Sequence, residues 1–259
     1  MPYAFSNVAD DQLRRRSLLA EMQRLRGEIY LQDGAIRRSD LTPDGRHELA
    51  DDESAWHLLL LDERSRVAGC MRFLRYDSTA GSPRLGVWHS ALAQTDSWGA
   101  RLRRAVNAQV DQACREGLAI GEAGGWALSP EMRLSTAALR MVLATYSLAR
   151  VLGNALVIST ATLRNGSAPI LRRIGGCSLG LDGWELPTYF DPKYNCEMQI
   201  LRFDSRAPNA RYEESVDQLR RHLMSVPVVS ARIGSTSQNA RFRVDALPLM
   251  RPVLAAAAR

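Results

Sequence analysis

The stretch GEAGGWALSPEMRLSTAALRMVLATYSLARVLG, residues 121–153, constrains the fold more than any other part of the chain. It closes an apolar strand spanning 119–128, turns through Ser129 and Pro130, and opens a long amphipathic helix over 134–152. Leu134, Ala137, Ala138, Met141, Val142, Leu148, Ala149 and Leu152 make one wide apolar face on that helix. NALVIST, residues 154–160, follows as a strand rich in β-branched residues. The helix begins with small residues, Ser135 to Ala138, which leave its first backbone N–H groups uncovered. Uncovered N–H groups at a helix start attract an anion.

The flanking sequence extends this α/β pattern. Residues 10–31 read as a helix with a stripe of Leu18, Met22, Leu25 and Ile29. Residues 56–62 and 66–76 read as a hairpin, and 77–98 as a loop. Helix 99–117 carries Leu102, Ala105, Val106, Gln109, Val110 and Ala113 on one side and ends at Gly117. A short helix spans 165–176, a strand pair lies on either side of Asp191-Pro192, and a helix spans 209–225. The predicted fold is α/β, a mixed and mostly antiparallel sheet flanked by helices. Residues 1–205 form the main domain, 206–229 a C-terminal helix and 230–259 a loosely attached tail.

Composition narrows the function classes. The 259 residues are 46% hydrophobic and 24% charged, enough for a sizeable core without staples. The net charge of +6 favours anionic partners. Lys193 is the only lysine, so arginine supplies nearly all the positive charge. The four cysteines form no CxxC pair, and the four histidines show no HxxxH spacing, so no metal site is expected. No membrane-length apolar run and no secretory signal are visible, and the expected location is cytoplasmic. Paired arginines recur as LRR at 13–15, 102–104, 171–173 and 219–221, but no nucleic-acid-binding motif accompanies them.

The strand–turn–helix unit, followed by NGSAPILRRIGG at 165–176, resembles the GCN5-related N-acetyltransferase (GNAT) superfamily. That family's phosphate-binding signature is Arg or Gln, two residues, Gly, one residue, then Gly or Ala. RLSTAA supplies Arg133 and Ala138, with Thr136 where glycine is usual. RGEIY (26–30), DDESAWHLLLLD (51–62), GCMRF (69–73) and GEAGGWALS (121–129) narrow the resemblance to the acyl-homoserine-lactone autoinducer synthases and N-acyl amino acid synthases. Gly125 stands where the autoinducer branch usually has arginine, and Leu171 or Arg172 where a general-acid tyrosine is often found.

The resemblance implies an N-acyltransferase that takes its acyl group from acyl-CoA or an acidic acyl carrier protein as co-substrate, with no resident cofactor. Its acceptor would be a small amino-acid-like amine. Glu122, alone among apolar neighbours, is the expected general base. The donor's phosphates would meet Arg133, Leu134, Ser135, Thr136, Ala137 and Ala138, with Asn165 nearby. Arg26, Tyr30, Asp52, Glu53 and Arg72 would bind the acceptor; alternatively, these charges pair among themselves and hold the first helix to the sheet. Thr136 and the missing tyrosine also fit a donor-binding protein without turnover.

Overall fold

The computed structural model describes residues 8–77, 85–133, 135–164, 166–230 and 241–245. Helix α1, Val8–Gln32, precedes the hairpin β1, Trp56–Leu61, and β2, Val67–Tyr76. Helix α2 spans Gly99–Glu116, β3 Ala119–Leu128, the one-turn α3 Pro130–Arg133, and α4 Ala137–Val151. Strand β4 spans Ala155–Thr162 and α5 Ser167–Arg173. The short strands β5, Cys177–Ser178, β6, Gly180–Leu181, β7, Trp184–Glu185, and β8, Tyr189–Asp191, lead to β9, Cys196–Asp204. Helix α6, Glu213–Leu223, and strands β10, Val228–Ser230, and β11, Arg241–Asp245, complete the described chain.

Nine strands form one sheet in the order β10-β11-β1-β2-β3-β4-β9-β5, with β8 also paired to β9. Among the described residues only β1/β11 and β3/β4 are parallel pairs. The rest are antiparallel, so the sheet is mixed and mostly antiparallel. Helices cover both faces. On one, Leu18, Met22, Leu25 and Ile29 of α1 pack on Leu59, Cys70 and Ala127. Beside them Leu102, Ala105 and Val106 of α2 pack on Ile120, Leu156 and Ile158. On the other, Met141, Val142 and Leu148 of α4 pack on Met71, Phe73, Ala123 and Val157, with Val216 of α6 behind them. Burying one such aliphatic side chain contributes about 1.5–3 kcal/mol.

The two amphipathic stripes expected on α1 and α2 are the buried ones, Gln109 included. Gly117 ends α2 in the left-handed region at φ 66°, and its N–H closes back on Ala113 and Cys114. Three stretches differ from expectation. Gly86–His89 and Ala91–Gln94, expected as loop, are 3₁₀ turns that bury Val87, Leu92 and Ala93. The α4 helix starts at Ala137, because Pro130–Arg133 makes a separate turn before it. Residues 241–245, inside the expected tail, form β11 and pair in parallel with β1; the remainder of 231–259 lies outside the described residues.

Candidate active site

Strands β3 and β4 pair from Ala119↔Ala155 to Ala123↔Ser159 and then part. Beyond that point β3 stays on β2, through Cys70↔Ala127 and Gly69↔Leu128. β4 instead stays on β9, through Thr160↔Ile200 to Thr162↔Met198. Between the arms no β3–β4 pairing continues. A bulge accompanies the divergence. Cys70 and Arg72 oppose Ala127 and Gly124, so β3 uses one more residue than β2 over that step. Gly125 lies within it at φ 63°, in the left-handed region that glycine adopts without steric cost.

A cavity of about 610 Å³ occupies this opening and is lined from both faces of the sheet. Met71, Ala123, Ala138, Ile170 and Leu171 line it on the α4/α5 side. Tyr30, Arg72, Val87, Glu122 and Ile158 line it on the α1/α2 side. The interruption of the sheet thus joins two compartments, one under α4 and α5 and one under α1 and α2.

Glu122 stands on β3 one residue before the last β3–β4 pair. Its Oε2 accepts the Gly86 backbone N–H at 2.5 Å. Its Oε1 lies 3.6 Å from Arg72 Nη2. Burial raises the carboxyl above the usual glutamate range, against the opposing pull of the Arg72 charge and the Gly86 hydrogen bond. Arg72 is shared, since its Nη1 also lies 3.9 Å from Asp51 Oδ2. Its Nε is buried without a partner among the described residues.

Arg26 and Asp52 are brought together, but beneath the cavity wall rather than on it. Arg26 is 0% exposed and Asp52 1%. The guanidinium binds both carboxylate oxygens at 3.0 and 2.6 Å and also donates to the His47 carbonyl. Gln23 Nε2 and the Leu49 N–H, each at 3.0 Å, complete the shell around Asp52. Burial works to raise the Asp52 carboxyl, but the Arg26 hydrogen bonds and charge outweigh it and hold it below the usual range. Glu53 is exposed and pairs with Arg15 at 2.5 Å. Of the two expectations for Arg26, Asp52 and Glu53, acceptor binding or pairing that holds the first helix, their observed contacts are those of the second: Arg26–Asp52 and Arg15–Glu53 join α1 to the loop before β1. Tyr30 remains on the cavity wall, its ring 5.6 Å from that of His47.

At the expected phosphate site, Arg133 and Ala138 line the cavity. Ser135 Oγ accepts the Ala137 N–H at 3.1 Å, which occupies one of the uncovered donors. Thr136 makes no side-chain cap. Leu134 and Asn165 lie outside the described residues. Arg133 makes a bidentate pair with Asp33 at the end of α1, at 2.9–3.1 Å. Arg164, just past β4, donates to the Asp33 carbonyl. The Gly86 contact and the Asp33 clasp were not foreseen. They join residues 36 and 100 positions apart, and no periodicity within one element signals either.

Among the described residues no group of three or more His, Cys, Asp or Glu side chains could hold a metal ion. No described helix is long and apolar enough to cross a membrane.

No protein-family model matches the chain, and no curated protein does. Solved structures do. The CoA-dependent acyl-homoserine lactone synthase BjaI, solved with SAM and isopentyl-CoA, is similar with a TM-score of 0.51 at 19% identity, covering 92% of each chain. The CoA-dependent acyl-homoserine lactone synthase MesI is similar with a TM-score of 0.50 at 19% identity, covering 85% of this chain and 94% of that one. At such identity the likeness is one of architecture: the chain has the GNAT-like fold of the acyl-homoserine lactone synthases.

Proposed function

We propose that the chain is an N-acyltransferase that moves an acyl group from acyl-CoA, or from an acyl carrier protein, to the amine of a small amino-acid-like acceptor. One observation carries the reading. The sheet is opened between β3 and β4 by a cavity that reaches both faces, and Glu122, the one partly buried carboxylate with a raised pKa among the described residues, borders the opening. Fold alone does not fix function; the residues of the site do.

The chemistry follows from the geometry. A thioester entering from the α4/α5 side would place its carbonyl between the two arms, where β3–β4 pairing has ended. The amine would enter from the α1/α2 side, where Glu122 takes a proton from its nitrogen. Nitrogen then bonds to the thioester carbon, the carbon–sulfur bond breaks, and the leaving thiolate takes up a proton. A carboxyl raised by burial is a better base toward an ammonium group than an exposed glutamate. The α4 start and Arg133 would receive the donor's phosphates, the latter after release from Asp33. BjaI and MesI, both described as CoA-dependent, make CoA the donor to test first.

The test is mass spectrometry of the purified protein with a panel of acyl-CoA donors and amino acids, beside Glu122→Gln. We expect an N-acyl product from the wild type and a loss of turnover of about 10²–10⁴ in the variant, with donor affinity kept. Donor binding without product would support the donor-binding alternative. Neither binding nor product would remove the reading.

A further inference from the structure

Of the arginine and lysine side chains on the cavity wall, Arg72 lies between Glu122 and Asp51, and Arg133 is held by Asp33. Lys193 is the third, and among the described residues no carboxylate lies within ion-pair distance of its ammonium. The turn between β8 and β9 presents it. Its backbone N–H donates to Oδ1 of Asp191, which also lines the cavity, at 2.9 Å. Its Nζ lies over the Tyr194 ring at 5.6 Å. Tyr30 and His47 line the same compartment, on the α1/α2 side with Glu122. His47 stays neutral there, its pKa pushed down to about 4 by burial and by the charges of Arg26 and Lys193.

Resting on the acyltransferase reading, we propose that Lys193, and not Arg72, anchors the carboxylate of the acceptor while Glu122 faces its amine. An amino acid brings one negative and one positive group. The compartment matches them with one cation free of carboxylate partners and one carboxylate with a raised affinity for protons. Arg72 cannot serve as well, because a substrate carboxylate beside it would meet Asp51 and Glu122 within the same few ångströms. Tyr194 and Tyr30 add aromatic surface to the wall of the same cavity. Lys193 is an exposed residue on the cavity wall with no ion pair among the described residues, so it can meet a substrate without first breaking a salt bridge.

The chain has a single lysine, which makes the test clean. Reductive methylation of the full chain with ¹³C-formaldehyde keeps the charge and gives one side-chain resonance, from Lys193, apart from the terminal amine. L-amino acids are added one by one, each against its carboxamide. We expect amino acids to shift the Lys193 resonance and carboxamides not to. In turnover, Lys193→Gln should raise the amino-acid KM about tenfold, leave kcat, donor KM and melting temperature unchanged, and abolish the preference over the carboxamide. Lys193→Arg should restore much of that preference. A resonance indifferent to every amino acid, or a variant in which the donor KM rises instead, overturns the assignment. If no amine is acylated by the wild type, the acyltransferase reading falls, and the resonance still decides whether Lys193 binds a carboxylate.

Discussion

Glu122 is held by two partners that both favour its charged form, yet burial prevails and its carboxyl titrates above an ordinary glutamate. The direction has a consequence for rate. A general base works only when deprotonated, so kcat/KM should fall as pH drops through the Glu122 value, with an acid limb above the usual glutamate range of about 4.3. Arg72 is the largest opposing influence. Replacing it with methionine removes the charge and should move the limb to higher pH; a limb that stays in place or moves down would exclude Glu122 as the titrating base. Stability has the opposite sign for the Arg26–Asp52 pair. The Asp52 value is lowered in the folded state, so its contribution is present above the unfolded aspartate value and is lost as pH falls through the folded one. The types of these residues were legible in the sequence, which marked Glu122, Arg72, Arg26 and Asp52 as a group. Pairing among them was one of two open alternatives, and which partner each takes was not legible, because one residue of register decides which side of a strand a charge occupies. Tyr30 and Arg26 are four apart on one helix, yet only Tyr30 reaches the cavity wall.

At the scale of elements, the opening between β3 and β4 lies beside the bulge in the β2–β3 pair. The register shift falls at two successive glycines, Gly124 and Gly125, a pair whose backbone freedom suits a bulge. The sequence could not show how far β3 and β4 stay paired, since pairing is a relation between strands and both read as unbroken apolar runs. Gly125 is the sensitive position. Its φ of 63° disfavours any side chain, and a Cβ added there would approach the Arg72 Cβ to 3.2 Å. Gly125→Ala should therefore destabilise the fold by about 1–2 kcal/mol. It should also displace Arg72 from Glu122, so turnover should fall more than stability explains. Denaturant unfolding beside steady-state rates separates the two effects. A variant of unchanged stability and unchanged rate would show that the bulge does not shape the site. Helix boundaries were read well where a stripe of four or more apolar residues ran along one face, as on α1 and α2. They were read less well at α3 and α4, where Pro130 and the run of small residues fit more than one start.

On the scale of the whole molecule, Asp33 is the point where three segments meet. Its carboxylate takes both terminal nitrogens of Arg133, which follows β3, and its carbonyl accepts from Arg164, which follows β4. The end of α1 thus bridges the two chain segments that leave the diverging strands. Asp33 and Arg133 both line the cavity. An exposed pair of this kind stabilises by no more than about 1 kcal/mol, so its loss should cost little folding energy. Its effect on the donor should be larger, because Arg133 cannot serve a pyrophosphate fully while a carboxylate holds it in a bidentate grip. Asp33→Asn keeps the shape of the side chain and removes the competing charge. The expected outcome is tighter CoA binding, by about threefold to tenfold, with a melting temperature within a few degrees of the wild type. The gain should shrink as salt rises, since it comes from charge near a solvated rim. Titration calorimetry with CoA at two ionic strengths reads both effects. If Asp33→Asn binds CoA no more tightly than the wild type at low salt, Arg133 is an anchor for α1 alone and the phosphates lie elsewhere. A weakened affinity would mean that the clasp shapes the donor site instead of competing with the donor for it.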